Sequence, residues 1–274
     1  MRSTPAESPA LPDYAVRTHN PSAHSENRMH SDDVALAYGF KGALVPGVTV
    51  FSHMTQPLVA LYGAEWLARG SADVTFAKPA YEGDWLTVRT AHGAAADAYL
   101  LTCVNAQGEE LAQMSAQLHG ASTAVDARAT LSPGPPRPKE LVTWDLMEIG
   151  VPFPALAWQP TQEDNLAWCV DVRDELPLYR AGAAPLLHPG FVLRQANLVL
   201  RHRFTLPAWI HTASRIVFHA AARAGETFEV RAVPQEKWLR KGHEFVRLYV
   251  CILRGGAVVT EIEHTAIFRP RKAA

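Results

Sequence analysis

The chain has 274 residues, 48% of them hydrophobic and 19% charged, with a formal net charge of −1. That balance describes a packed globular chain and leaves no global basic field to hold nucleic acid. No apolar run reaches the roughly 18–20 residues of a membrane-spanning helix. The opening MRSTPAESPALPDY lacks the basic start and apolar core of a secretory signal, so a cytoplasmic protein is expected.

Residues 1–12 read as a disordered N-terminus, followed by a first unit over 13–125. A strand is expected near 14–19. After Pro46-Gly47, the apolar positions Val48, Phe51, Leu58, Leu61 and Tyr62 predict a mostly buried helix that Gly63 ends and Pro57 bends. Strands are expected at roughly 71–80, 84–92, 98–105 and 110–119, parted by turns such as Glu82-Gly83-Asp84 and Gln107-Gly108. Pro133-Gly134-Pro135-Pro136-Arg137-Pro138 can neither pair in a sheet nor continue a helix, which places a linker over 126–142. The second unit, 143–274, should hold a strand somewhere in 155–170 and a helix in GFVLRQANLVLRHRF, proline-free until Pro207. Strands at roughly 211–222, 226–234, 243–254 and 257–268 follow. Cys103, Cys169 and Cys251 are odd in number and lack a CxxC, so neither a disulfide framework nor a zinc site is suggested.

The order of features repeats. Leu44-Val45-Pro46-Gly47 returns as Leu187-His188-Pro189-Gly190 and Trp66-Leu67 as Trp209-Ile210, both 143 residues on. Val74-Thr75-Phe76 returns as Ile216-Val217-Phe218 and Glu82-Gly83-Asp84 as Ala224-Gly225-Glu226, both 142 on. Each unit is a long helix followed by an antiparallel meander, an α+β arrangement. Charge divides unevenly: residues 1–137 carry 9 Lys/Arg against 13 Asp/Glu, and residues 138–274 carry 17 against 14.

The stretch His30-Ser31-Asp32-Asp33-Val34-Ala35-Leu36-Ala37-Tyr38-Gly39-Phe40-Lys41-Gly42-Ala43-Leu44-Val45-Pro46-Gly47 resembles the MaoC-like (R)-specific enoyl-CoA hydratase/dehydratase family of the hot-dog superfamily. With the internal repeat, the resemblance implies a double hot-dog: two long central helices, each wrapped by a curved antiparallel sheet, with the halves paired through their sheets. It also implies a lyase acting at Cα/Cβ of an acyl or polyketide group carried as a thioester on coenzyme A or a carrier protein. Neither nucleic acid nor membrane is implied as a partner, no cofactor is called for, and a homodimer of double hot-dogs is compatible with it.

The family's site pattern, Asp-x-Asn-Pro-hydrophobic-His, reads here Ser25-Glu26-Asn27-Arg28-Met29-His30. Asn27 and His30 match, Arg28 replaces proline, and Ser25 stands where the carboxylate belongs. Glu26 is the neighbouring carboxylate, although its side chain would point differently in an extended loop. The resemblance assigns acid/base chemistry to His30, with Asn27 or Glu26 orienting it or the water, and gives Gly47 N–H the thioester oxygen. That chemistry is sound, since water addition needs proton transfer and enolate charge is stabilised by N–H donors at a helix start. His30 has a structural alternative, a hydrogen bond to a loop carbonyl. A second register, Asn20-Pro21-Ser22-Ala23-His24, ranks lower. Asp32 is expected to cap the short helix beginning near Asp33.

Val48, Thr49, Ser52, His53 and, in the second copy, His188 are the further candidates for substrate contact. Each has a bland counterpart: His53 as a core histidine, and Ser52 and Thr49 bonded to their own helix. Lys237, Arg240 and Lys241, or Arg269, Arg271 and Lys272, could meet coenzyme A phosphates or form solvated charge runs. A hot-dog acyl thioesterase and a non-catalytic acyl- or polyketide-binding protein are the alternatives to a lyase. No metal-ligand spacing, GxGxxG, P-loop or GxSxG motif is present.

Overall fold

The structure, a computed structural model, describes residues 9–121 and 123–272. The first half runs β1 (Tyr14–Arg17), α1 (Asp32–Ala37), the central helix α2 (Gly47–Tyr62), α3 (Ala64–Arg69), β2 (Gly70–Phe76), β3 (Trp85–His92), β4 (Ala98–Asn105) and β5 (Glu110–Leu118). The connection carries β6 (Glu140–Leu141). The second half runs β7 (Leu156–Trp158), α4 (Gln162–Asp171), α5 (Pro189–Leu193), α6 (Gln195–Arg203), β8 (Phe204–Thr205), β9 (Ile210–Phe218), β10 (Phe228–Arg240), β11 (His243–Arg254) and β12 (Ala257–Arg269).

Ten strands form one antiparallel sheet in the order β1-β3-β4-β5-β2-β9-β12-β11-β10-β7. The order is a mirror about the β2/β9 pair, so the repeat in the sequence is a pseudo-two-fold in space. Ser71 to Thr75 pair with Val217 to Ala213, and Asp73 faces Arg215 at the centre. The halves therefore join edge to edge through backbone hydrogen bonds, and neither inner strand is left as an open edge.

The helices cover one face of this sheet. α2 packs on β1, β4 and β9, and α6 packs on β10. Phe51, Met54 and Leu58 of α2 are fully buried, each contributing roughly 1.5–3 kcal/mol by burial. α2 and α5 cross where Gly190 meets Ser52: a Cβ at Gly190 would lie 1.9 Å from Ser52 Oγ and 3.1 Å from Val48 O. Glycine is required there for helix contact, a different use from that of a glycine in a turn.

α2 runs helical through Pro57, whose lost backbone bond is outweighed by burial between Val48 and Val59. Three departures from the sequence reading have physical causes. The second helix, expected to be continuous, is interrupted at Arg194: Gln195 Nε2 donates to Phe191 O at 3.2 Å, a carbonyl the helix ladder would otherwise use. β10 continues past Pro234 to Arg240, because a register shift between Pro234 and Glu236 absorbs the proline as a bulge. Residues 162–171 are helical, started by a capping box in which Thr161 and Asp164 serve each other's backbone.

At the N-terminus, Leu11 is buried, and Tyr99 Oη donates to Pro9 O at 2.9 Å. Residues 9–12 thus pack on the sheet, while residues 1–8, read as disordered with them, lie outside the described residues. Among the described residues no helix is long and apolar enough to cross a membrane.

Candidate active site

The loop between β1 and α1 carries His30 into a cavity of about 280 Å³ beside the start of α2. Asn27 caps the short helical turn Arg28–His30, its Oδ1 accepting from Met29 N at 3.2 Å. The same Oδ1 accepts from Trp209 N at 3.2 Å, and Nδ2 donates to Trp209 O at 3.0 Å. These backbone partners fix the orientation of the amide, so its remaining N–H points at His30 Nε2, 3.1 Å away. His30 Nδ1 lies 2.6 Å from Leu44 O. A carbonyl only accepts, so Nδ1 carries the proton and Nε2 is the lone pair that accepts from Asn27. Burial holds the ring's pKa below its ordinary 6.5, partly offset by the Leu44 carbonyl, so His30 is neutral near pH 7.

Leu44, whose carbonyl orients the ring, lies two residues before Pro46, and the chain then turns into α2. Thr49 N and Val50 N both reach Pro46 O. The N–H groups of Gly47 and Val48 have no backbone acceptor among the described residues, and both residues line the same cavity as His30. The far wall comes from the second half: Trp209, Ile210, His211 and Thr212 of the β9 approach, with Arg194, Asn197 and Arg201 from the helices. Among the described residues, no Asp or Glu lines the cavity.

Of the residues singled out in the sequence, Ser25, Asn27, His30, Gly47 and Val48 converge on this cavity, and five others do not. Glu26 turns outward, its Oε2 3.0 Å from Arg201 Nη2 and 3.4 Å from Lys139 Nζ; it cannot replace the carboxylate. Ser52 Oγ donates to Val48 O at 2.8 Å, and Thr49 is fully buried. His53 is buried with Nε2 3.0 Å from Thr18 Oγ1, and burial takes its pKa down to about 3.

His188 caps its own helix: Nδ1 accepts from Gly190 N at 3.0 Å and Trp168 Nε1 at 3.3 Å, which leaves Nε2–H to donate to Asp174 Oδ2 at 3.2 Å. The second copy of the site is thus closed by a satisfied core network. His24, of the lower-ranked register, is exposed, and Asn20 Nδ2 donates to His30 O at 3.1 Å, which makes Asn20 a support for the loop. Asp32 lies inside α1, with Ser31 at the cap position, and its Oδ1 accepts from Ala43 N at 2.7 Å.

Two features escaped the sequence reading. In the sequence Trp209 reads only as a repeat of Trp66, yet its backbone holds Asn27. His211 stood at the start of an expected strand, with Ser214 three residues on, and nothing local marks it as facing the cavity. Lys237 Nζ donates to Trp144 O at 2.7 Å and Arg269 pairs with Glu244, so these cations serve the sheet. Among the described residues, no group of three or more His, Cys, Asp or Glu side chains is placed to hold a metal ion.

No family model matches the sequence, and no curated protein matches it. Solved structures do match. A chain from Chloroflexus aurantiacus J-10-fl described as a MaoC domain protein dehydratase superposes with a TM-score of 0.65 at 13% identity, covering 100% of both chains. A conserved hypothetical protein of Mycobacterium tuberculosis with a double hotdog fold gives 0.58 at 12% identity, covering 94% of this chain and 96% of the other. A chain from Novosphingobium aromaticivorans DSM 12444 described as a thioesterase gives 0.52 at 11% identity, covering 97% and 99%. The fold is therefore a double hot-dog, a scaffold shared by chains described as dehydratases and thioesterases.

Proposed function

We propose that the chain is a MaoC-like lyase that adds or removes water at Cα/Cβ of a thioester-bound acyl group, using His30 as its single acid/base. The observation that carries this reading is the His30 ring itself. Its Nδ1–H is anchored on Leu44 O and its Nε2 is directed by Asn27, at the edge of a cavity that includes the N–H groups at the tip of α2. Such a ring takes a proton from one carbon and returns it to a leaving hydroxyl within one active site. Helix-start N–H groups receive the negative charge that builds on the thioester oxygen between those events.

The walls suit an anionic carrier. Arg194, at the joint between α5 and α6, has no counter-ion within ion-pair distance among the described residues and stacks 5.5 Å from the Trp168 ring. A phosphate of coenzyme A or of a carrier-protein arm is the chemistry that would pair with it.

A second reading, an acyl-binding protein without turnover, is favoured by one observation: among the described residues no carboxylate lines the cavity, and Asn27 already donates to His30 Nε2. Steady-state assays of the wild type and His30→Ala with enoyl and 3-hydroxyacyl thioesters separate the readings. Lyase action gives a change in double-bond absorbance that falls by roughly 10²–10⁴-fold in the variant. Release of free thiol instead identifies a thioesterase, and tight binding with neither signal identifies the binder.

A further inference from the structure

The cavity contains an imidazole that the reading above leaves unused. His211 is 8% exposed, lies on the cavity wall, and its Nδ1 has no hydrogen-bond partner among the described residues. Nδ1 sits 3.0 Å from the place a Cβ on Gly47 would occupy, so it abuts the tip of α2, beneath the edge of the Phe76 ring.

The backbone is built to place it there. Thr265 pairs with Ala213 but Ala266 pairs with His211, leaving Thr212 as a bulge. Without that extra residue, strand alternation would turn His211 to the opposite face from Ser214; with it, both face the helices. Behind the ring, His211 Nε2 is 2.8 Å from Ser214 Oγ, which is 3.0 Å from His264 Nδ1. The related positions of the first half, by register, are the Ala72/Ala116 pair. The polar chain therefore belongs to one half only, and it ends on the α2 tip of the other.

The direction of this chain follows from its ends, since His211 Nδ1 and His264 Nε2 are both buried and unpartnered. If His211 donated to Ser214 and Ser214 to His264, an N–H would be stranded at His264 Nε2 in the core. In the opposite sense His264 Nδ1–H donates to Ser214, Ser214 Oγ–H donates to His211 Nε2, and the unmatched N–H lies at His211 Nδ1, against Gly47 at the cavity wall. A ligand oxygen at the tip of α2 can satisfy an N–H at His211 Nδ1, whereas no group among the described residues satisfies one at His264 Nε2, so a ligand there selects the second sense. Burial, with His264 nearby, outweighs the opposing Ala213 backbone beside the ring and keeps His211 neutral, as an electrophilic imidazole must be.

We propose that His211 Nδ1–H donates to the carbonyl oxygen of the bound thioester at the tip of α2, with Ser214 and His264 fixing the tautomer that allows it. The oxygen is then held by a backbone N–H from one half and an imidazole from the other. No proton leaves His211 in this role. The inference rests on the thioester reading of the cavity.

Isotope-edited infrared spectra of bound octanoyl-CoA labelled with ¹³C at the carbonyl test it, together with ring ¹⁵N spectra of the same complex. The expected results are an Nδ1–H tautomer at His211 and a carbonyl band shifted to lower frequency. The band shift should be diminished in His211→Phe and partly diminished in Ser214→Ala, whose free ring loses its fixed tautomer. With a turned-over thioester, kcat/KM in His211→Phe should fall by roughly 10²–10³-fold. Binding with an unchanged carbonyl band in both variants, or an Nε2–H tautomer at His211, overturns this inference and leaves the thioester reading standing. Failure of the wild type to bind octanoyl-CoA overturns both.

Discussion

Asn27 joins the site to the pseudo-symmetry of the molecule, because one buried amide holds His30 from the first half and the Trp209 backbone from the second. Asn27→Asp keeps the acceptor for Met29 N and Trp209 N. Its second oxygen, however, faces the Trp209 carbonyl and the His30 lone pair, two electron-rich groups. Protonation of His30 Nε2 relieves one of these clashes, so the His30 pKa should rise above its ordinary 6.5. Stability should fall by about 1–3 kcal/mol, because the Trp209 carbonyl loses its donor. An NMR titration of the His30 ring checks this; an unmoved pKa would show that Asn27 does not address Nε2.

The buried imidazoles also set an acid limit. His30 and His211 have lowered pKa values, and His53 and His264 are taken down to about 3, burial being the largest cause in each. The folded chain keeps these rings neutral, whereas the unfolded chain protonates them at about 6.5. Folding stability is therefore full above about 6.5 and declines as pH falls toward 3. His53 and His264 each add a slope of about 1.4 kcal/mol per pH unit within that window, and His30 and His211 act in the same direction. Between pH 6.5 and about 4.5 the ordinary carboxylates are still ionised, so imidazoles dominate there. Urea unfolding of the wild type and His264→Gln between pH 7.5 and 5 should show the variant's slope reduced by about one proton; equal slopes would count against a neutral, buried His264.

At the scale of elements, α2 and α5 cross with no room for a side chain at Gly190. Gly190→Ala drives a methyl into Ser52 Oγ, 1.9 Å from the position of the new carbon. The helices must part, with a loss of about 1–3 kcal/mol. Ser52→Ala on the same chain removes the oxygen but leaves its Cβ at 3.1 Å, so the double variant should recover part of that loss and not all of it. Denaturant titration of the four chains measures the coupling; additive losses would mean the residues do not touch.

This contact also marks what a sequence can reveal. The Pro-Gly pairs and their spacing showed two central helices, and alternation showed the strands after them. The use of Gly190 was hidden, because a glycine needed for helix contact reads like a glycine needed for a turn or a ligand. The bulges at Thr212 and near Pro234 were hidden for a related reason: they depend on the partner strand, and alternation carries on past them. Thr161-x-x-Asp164 was a legible helix start that lay inside a stretch expected to hold a strand. In the site, the His30 motif was local and legible. Trp209 and His211 reach it only through the fold, about 180 residues away along the chain.

At the scale of the whole molecule, the two halves are parts of one structure. Their inner strands pair over Ser71–Thr75 and Ala213–Val217, α2 and α5 interlock at Gly190, and a single cluster of buried side chains runs from Leu11 to Phe268. Separating them would open two inner strand edges and strip apolar surface from both central helices, a combination that drives aggregation. A chain cut between residues 120 and 121 should therefore behave unlike a pair of independent domains. Fragments 1–120 and 121–274 should be insoluble when each is expressed alone. Co-expressed, they should copurify as a one-to-one complex, and the intact chain should unfold in a single transition seen alike by tryptophan fluorescence and circular dichroism. A lone fragment that is soluble, monomeric and cooperatively folded would show that the β2/β9 junction joins two self-sufficient units, and the cavity shared between them would then lose its claim to be a fixed site.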